Sequence, residues 1–350
     1  MSERYCCSSC FGDAGLRKSI IPKVAADESD EIRVGVCDYC GSIDVVLVPP
    51  PSLRQWFEIV CACYAEDGKG SPLVTWLKRD WKLFSHPTMD DAHAKDLLGD
   101  VFDDGEIVRQ KFTPVESAGA QDPQSWEDLR SEMMHRNRWF LDDPIDLERL
   151  GELLAQLIAP AEEIPDTWYR ARLQVDEKPF GLEEMGAPPS RLAGHGRANP
   201  AGIRYLYLGS NRSTAVSEIR PHTGERACVA EFSVSPSRLA DLRDPRSLVS
   251  PFILEDAEQI ALVRDGLPLL ERLGQELTKP VQSTSAAFEY IPSQYLCEFI
   301  KKQGFQGVLY RSSVSEGMNL ALFDPDLATA RSVDTIRVDR VTVDISEPVD

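Results

Sequence analysis

The stretch GHGRANPAGIRYLYL, residues 194–208, runs from a loop framed by glycines and Pro200 into alternating aromatic and aliphatic residues. Such a change predicts a tight loop feeding a strand at Ile203–Leu208. Working outward, Trp168–Leu173, Ala227–Val234, Gly307–Tyr310 and Leu320–Phe323 share the same short apolar texture and are expected strands. Helices are expected at Asn211–Arg220, Ala257–Leu277 and Pro292–Lys302, the last stopped by Gly304. Ile336–Ile345 alternates apolar and polar residues and predicts a last strand, whereas Ser283-Thr284-Ser285 reads as loop. Strands and helices do not alternate regularly, so this half is expected to be α+β and not a doubly wound sheet.

Upstream the texture is different. Residues 1–48 carry cysteines and end in Val45–Val48, an expected strand, before Pro49-Pro50-Pro51 punctuates the chain. From Ser52 to Ile158 the apolar period is helical: Trp56, Phe57, Val60 and Tyr64, then Leu73, Trp76, Leu77 and Trp81. Leu147, Leu150, Leu153, Leu154 and Leu157 form another stripe, with Asp143-Pro144 as the expected start signal. The expected organisation is a cysteine-bearing unit at 1–48, a helical bundle at 49–158 and a mixed α/β domain at 159–350, together an α+β protein.

A net charge of −19 argues against a nonspecific grip on nucleic acid or anionic lipid, because phosphate contacts need clustered cations. A phosphate-bearing ligand must then be met by a few locally placed arginines. No apolar run approaches the roughly 18 residues that a membrane span needs. The polar, cysteine-rich start lacks the charged-then-apolar order of a secretory signal, so a reducing cytoplasmic location is expected.

Five of the nine cysteines fall early, as Cys6, Cys7, Cys10, Cys37 and Cys40. Cys7-x2-Cys10 and Cys37-x2-Cys40 can each present two thiolates from a tight turn, and four thiolates complete a tetrahedral zinc shell. Cys6 competes with Cys7 for the first place, and Gly41 supplies the backbone freedom often needed after the second thiolate. A fully ligated metal has no open position, so this zinc is expected to be structural.

The candidate reactive residues lie in the C-terminal half. Arg170 and Arg172 sit on one expected strand, Arg197 and Asn199 in the glycine-framed loop, and Glu218 near the end of a short helix. Arginine forks suit phosphate pairs, and a glycine-framed loop lets backbone N–H groups approach them. Tyr169 and Tyr207 offer faces for a flat ring. His195 and His222 read as solvated loop residues. In the helical segment WEDLRSEMMHRNRWF, residues 126–140, Arg130 and His135 make an Arg-x4-His element that resembles the motif of HEPN domains, some of which cut RNA. The bland reading, a partly exposed turn of a noncatalytic bundle, is preferred there.

The order YRAR (169–172), GRANPAG with IRYLYL (196–208), STAVSEI (213–219), YIPSQYLCEFIKKQGFQGVLYRSS (290–313) and GMNLALF (317–323) resembles the conserved blocks of the RES family. CCSSCFGD, CDYCGS and the HRNRWF helix end resemble the N-terminal extension of one RES subgroup, HEPN-like with a zinc knuckle. The resemblance implies a fold related to ADP-ribosyltransferases and an enzyme that consumes NAD by phosphorolysis or hydrolysis. It further implies a toxin paired with a DNA-binding antitoxin protein, and leaves a homo-oligomer open. By position, the family arginine, glutamate and serine fall on Arg197, Glu218 and Ser312, with Ser313 the alternative serine. Tyr169, Arg170 and Tyr207 are expected to line the NAD pocket, as is Asn319, whose role the resemblance does not define. The block around Arg197 departs from the family pattern at Ala198, where a bulky residue is common. Protein ADP-ribosylation is the second enzymatic expectation. An RNA-cutting or partner-binding protein with a degenerate RES half is the third reading.

Overall fold

The computed structural model describes residues 4–27, 32–117, 123–142, 145–235, 238–281 and 285–342. It is a mixed α and β protein, as the sequence predicts. By contact the chain forms two units, Met1–Asp122 with Asp244–Leu269, and Pro123–Arg243 with Leu270–Asp350. The three modules expected from composition, 1–48, 49–158 and 159–350, stand as a proposal beside this division.

In the first unit, strands β1 (Cys6–Cys7), β2 (Val34–Gly35) and β3 (Val45–Val48) form an antiparallel sheet in the order β1-β3-β2. The β-branched run at 45–48 makes the central strand, as its composition dictates. Helices Arg54–Cys61, Leu73–Trp81 and Asp91–Phe102 follow. Leu73, Leu77 and Trp81 are buried, the face their spacing predicts. Phe57 anchors the packing, with its ring 6.0 Å from that of Phe11 and 5.0 Å from that of Phe252.

The segment from Ser52 to Ile158 is not purely helical. Strands β4 (Tyr64–Pro72) and β5 (Lys111–Pro114) pair antiparallel inside it, and Tyr64 begins a strand instead of continuing a helix. Gly68 and Gly70 explain the switch, since each weakens a helix by about 1 kcal/mol relative to alanine. The Asp67 carboxylate then accepts from the Lys69 N–H at 2.9 Å and the Thr113 hydroxyl at 3.0 Å, which stabilises the turn.

Asp13 is buried in this unit, accepting from the Leu16 N–H and the Ser250 hydroxyl, each at 2.8 Å. Burial outweighs these bonds and pushes its carboxyl up to about 6. The folded state therefore holds a proton that the unfolded chain has released between about pH 4 and 6, so stability falls as pH rises through that window. An asparagine at this position would keep an acceptor oxygen without a buried charge. Asp13→Asn is expected to stabilise the protein by on the order of 1–3 kcal/mol above pH 6, the gain shrinking to nothing near pH 4. Chemical denaturation across pH 4–8 reads this directly, and a pH-independent difference would contradict it.

The second unit is built on a sheet of seven strands: β6 (Thr167–Leu173), β7 (Leu206–Gly209), β8 (Arg226–Val234), β9 (Leu239–Asp241), β10 (Gly307–Arg311), β11 (Met318–Leu322) and β12 (Ala328–Arg337). Their spatial order is β12-β8-β6-β7-β11-β10-β9. All neighbours are antiparallel except β10 and β9. One face buries Trp168, Leu206, Leu208, Phe232, Leu309, Leu320 and Leu322 in a common core. Helices Ala257–Thr278 and Ile291–Lys302 match the expected spans closely, and Gly304 has φ +83° where the second one stops.

Three expected boundaries move. The strand expected at Ile203–Leu208 begins only at Leu206, because the Asn199 amide binds the Ile203 carbonyl at 2.7 Å and keeps it in the loop. The last strand is Ala328–Arg337, paired along β8, rather than Ile336–Ile345, of which residues 343–345 lie outside the described residues. The Leu147–Ala155 helix is capped by Asp146, whose side chain accepts from the Arg149 N–H at 3.0 Å; the expected Asp143-Pro144 signal lies outside the described residues. The same holds for Ser283-Thr284 of the serine–threonine run.

Arg130 is taken up by packing. Its guanidinium pairs with the buried Glu276 at 3.1 Å, and Trp126 donates to the same carboxylate at 3.5 Å. His135 lies against Phe288, ring centroids 6.1 Å apart. A buried pair of this kind is an anchor for helix Pro123–His135, since breaking one partner strands the other charge.

Candidate active site

The loop at 194–202 is organised by Asn199, which is buried. Its amide donates to the carbonyls of Gly194, Pro200 and Ile203 at 2.7–3.0 Å, and its oxygen accepts from the Tyr207 hydroxyl at 2.6 Å. The Ala198 N–H donates back to the Tyr207 oxygen at 2.9 Å. From the Ile291–Lys302 helix, Gln294 donates to the carbonyls of Gly196 and Asn199, and Ser293 to that of Arg197. Gly196 lies so close to this network that a Cβ there would meet Asn199 Oδ1 at 2.3 Å and Tyr207 Oη at 2.5 Å. Gly196→Ala is expected to destabilise the protein by about 1–3 kcal/mol and to displace Arg197, because the crowded atoms are hydrogen-bonded and cannot retreat. A melt unchanged from wild type would refute this account of the loop.

The sheet supplies the floor. Tyr169 pairs with Gly209, Gly209 with Asn319, and Asn319 with Tyr310, so one rank of residues crosses β6, β7, β11 and β10. Strands β6 and β7 share only that one paired position, and a cleft of about 350 Å³ lies along it. Its lining includes Tyr169, Arg170, Arg197, Tyr207, Glu218, Asn319, Tyr290 and Tyr310. Helix Arg212–Glu218 brings Glu218 to this cleft. Asn211 caps the helix by accepting from the Thr214 N–H at 2.8 Å, and Arg212 ties it to Glu231 at 2.8 Å and Asp334 at 2.7 Å.

Glu218 Oε1 accepts from both the Ser312 hydroxyl at 2.7 Å and the Asn319 amide at 2.5 Å. Ser312 rather than Ser313 makes this contact, and the turn holding it is closed by the Ser312 N–H on the Gly317 carbonyl. Among the described residues, no side chain donates to Oε2, which leaves that oxygen for a ligand. Two donors on one oxygen fix the orientation of the carboxylate.

Arg170 presents the opposite charge. Burial, and secondarily Arg172, lowers its guanidinium to about 10, still a cation at neutral pH. Its buried Nη1 has no hydrogen-bond partner. An unpaired buried guanidinium nitrogen is costly and is satisfied when an anion enters. Arg197 is differently placed: Nη1 donates to the Lys279 carbonyl at 2.6 Å, and the guanidinium stands 5.3 Å from the Tyr290 ring centre. Tyr207 spends its hydroxyl on the loop, and burial pushes that phenol well up.

The structure thus brings the candidates Tyr169, Arg170, Arg197, Tyr207, Glu218, Ser312 and Asn319 into one neighbourhood. Sequence reasoning missed Tyr290 and Tyr310, and the supporting Ser293 and Gln294, although all four sit inside the 290–313 block. Their signal was available only as membership of that block, since a buried tyrosine in a strand ordinarily reads as core.

Cys7, Cys10, Cys37 and Cys40 form the second constellation. All four are buried and their sulfurs lie within 4.8 Å of one another. Zinc–sulfur bonds of about 2.3 Å put tetrahedral sulfurs about 3.8 Å apart, so this set can hold a metal ion. Cys7 and Cys40 sulfurs are 3.5 Å apart, and those of Cys10 and Cys37 3.4 Å. Gly41, at φ +73°, closes the second turn by donating to the Cys37 carbonyl. Cys6 stands outside the group. Among the described residues no helix is long and apolar enough to cross a membrane.

A mixed sheet opened between two strands, with a carboxylate on one wall and arginines around it, makes this cleft the candidate binding site of the domain. The RES domain family matches residues 167–343, half of the chain, and the chain belongs to that family. Among solved structures, the chain is similar to one in the crystal structure of the M. tuberculosis MbcT–MbcA toxin–antitoxin complex, at 12% identity and a TM-score of 0.33. The similarity covers 54% of this chain and 93% of that one. No curated protein matches the sequence.

Proposed function

We propose that the protein is an NAD-consuming enzyme that cleaves the nicotinamide–ribose bond. The observation that carries this reading is the Glu218 carboxylate, held through one oxygen by Ser312 and Asn319, with its other oxygen directed to no protein donor among the described residues. Loss of the cationic nicotinamide builds positive charge on the ribose, and an oriented carboxylate stabilises that state. Arg170, with Arg197, binds the phosphates, and Tyr169, Tyr207, Tyr290 and Tyr310 supply aromatic walls. The four-cysteine site holds a structural zinc, and residues 1–158 form a zinc-knuckle and HEPN-like extension of the RES domain. In this reading the protein is a toxin, restrained by an antitoxin protein.

Incubation with NAD, with and without phosphate, followed by product separation tests the reading. Nicotinamide release in a phosphate-dependent manner identifies phosphorolysis; release independent of phosphate identifies hydrolysis. Label retained on protein identifies ADP-ribosyl transfer. Absence of any NAD loss at saturating enzyme, with the fold intact, would overturn the proposal.

A further inference from the structure

Arg220 has φ +47°, in the left-handed region that favours glycine because a Cβ crowds the backbone there. It follows the C-cap, Ile219, of helix Arg212–Glu218, and its N–H donates to the Ser217 carbonyl at 3.0 Å. Glycine would stop this helix without strain. Pro221 restricts the residue before it still further. A helix stop alone therefore gives no reason for an arginine. Strained non-glycine residues gather where a side chain is needed for a ligand.

The surroundings say which ligand. Arg220 lines the cleft two positions from Glu218, and its side chain is exposed. Among the described residues its guanidinium has no hydrogen-bond, ion-pair or ring partner. The other two arginines of the cleft differ, Arg197 being engaged by the Lys279 carbonyl and Tyr290, and Arg170 being half-buried with its Nη1 shut off from solvent. A diphosphate carries charge on two linked groups, and Arg170 with an Arg197 already committed through Nη1 satisfies only part of it. Resting on the dinucleotide reading above, we propose that Arg220 is a diphosphate-binding residue at the cleft, acting with Arg170.

Calorimetric titration of inorganic pyrophosphate, ADP-ribose and nicotinamide into the full chain, wild type, Arg220→Gly and Arg220→Lys, tests this. Arg220→Gly relieves the strain and should melt a few degrees higher while binding pyrophosphate and ADP-ribose about tenfold or more weaker, the loss expected of a charged hydrogen bond. Nicotinamide affinity should not change. Arg220→Lys should recover part of the affinity without the gain in melting temperature. In turnover, KM for NAD should rise with kcat within about threefold, as for lost uniform binding. Arg220→Gly that binds pyrophosphate like wild type, or a wild type that binds none, overturns the proposal. If the wild type consumes no NAD, the dinucleotide reading fails separately. The pyrophosphate comparison still decides Arg220: tighter binding by wild type sustains it, and equal binding removes it.

Discussion

Glu218→Gln is expected to lower nicotinamide release from NAD by about 10²–10³-fold, the size of a lost electrostatic contact to a developing charge. The substitution keeps an oxygen for the Ser312 hydroxyl and the Asn319 amide, both of which donate to Oε1 in the native site. Shape and local bonding are thus preserved, and what disappears is the negative charge. Glu218 is exposed at a helix end, so the melting temperature should stay within a degree or two of wild type. Ser312→Ala removes one of the two donors and should cost less, about tenfold, because Asn319 still orients the carboxylate. Asn319 is buried, and its replacement by leucine would combine lost orientation with a packing change. The informative pattern is Glu218→Gln far worse than Ser312→Ala at equal stability. A Glu218→Gln enzyme within threefold of wild type would remove the carboxylate from the mechanism.

The second large effect concerns the four cysteines. Purified without chelator, the protein should carry one zinc per chain, and a strong chelator should remove it with loss of the folded knuckle. Zinc binding in small thiolate sites contributes about 10–16 kcal/mol at neutral pH, although a unit with its own core depends on it less. Phe11, Leu16, Ile20 and Ile21 give this unit such a core between the two cysteine turns. A loss of several kcal/mol, enough to unfold the region around 5–48 at 37 °C, is therefore expected. Thiol titration reads it: Cys7, Cys10, Cys37 and Cys40 are buried and should react slowly until chelator is added, then rapidly. Cys37→Ser should mimic chelation without any reagent. Metal-free protein with an unchanged melt would refute a structural zinc.

Much of the secondary structure was legible before the fold was known. Val45–Val48, the strand through Trp168, the strand at Arg226–Val234 and the helix ending before Gly304 all declare themselves by period and by stop residues. The places where the structure departs from the sequence reading have separate causes. Tyr64 continues a helical stripe on paper, but Gly68 and Gly70 and the partner strand at Lys111–Pro114 turn it into a hairpin. The strand before Gly209 is shortened by Asn199, a residue of the preceding loop. Arg130, read from the sequence as part of a noncatalytic helical turn, pairs with Glu276 from far along the chain, a partner no spacing could name.

By itself, the sequence determined which chemistry the chain can carry: paired cysteine turns, a glycine-framed arginine loop, a helix ending in Glu218, and blocks in an order that identifies a family. Spacing specifies local geometry because backbone period and turn chemistry act over a few residues. Tertiary structure alone decided that Glu218 meets Ser312 and Asn319, 94 and 101 positions away. It also decided that Arg170 has a buried, unpaired nitrogen, and that Arg220 is held in a strained conformation beside the cleft. Those facts follow from sheet order and desolvation, which arise only when distant strands pack together.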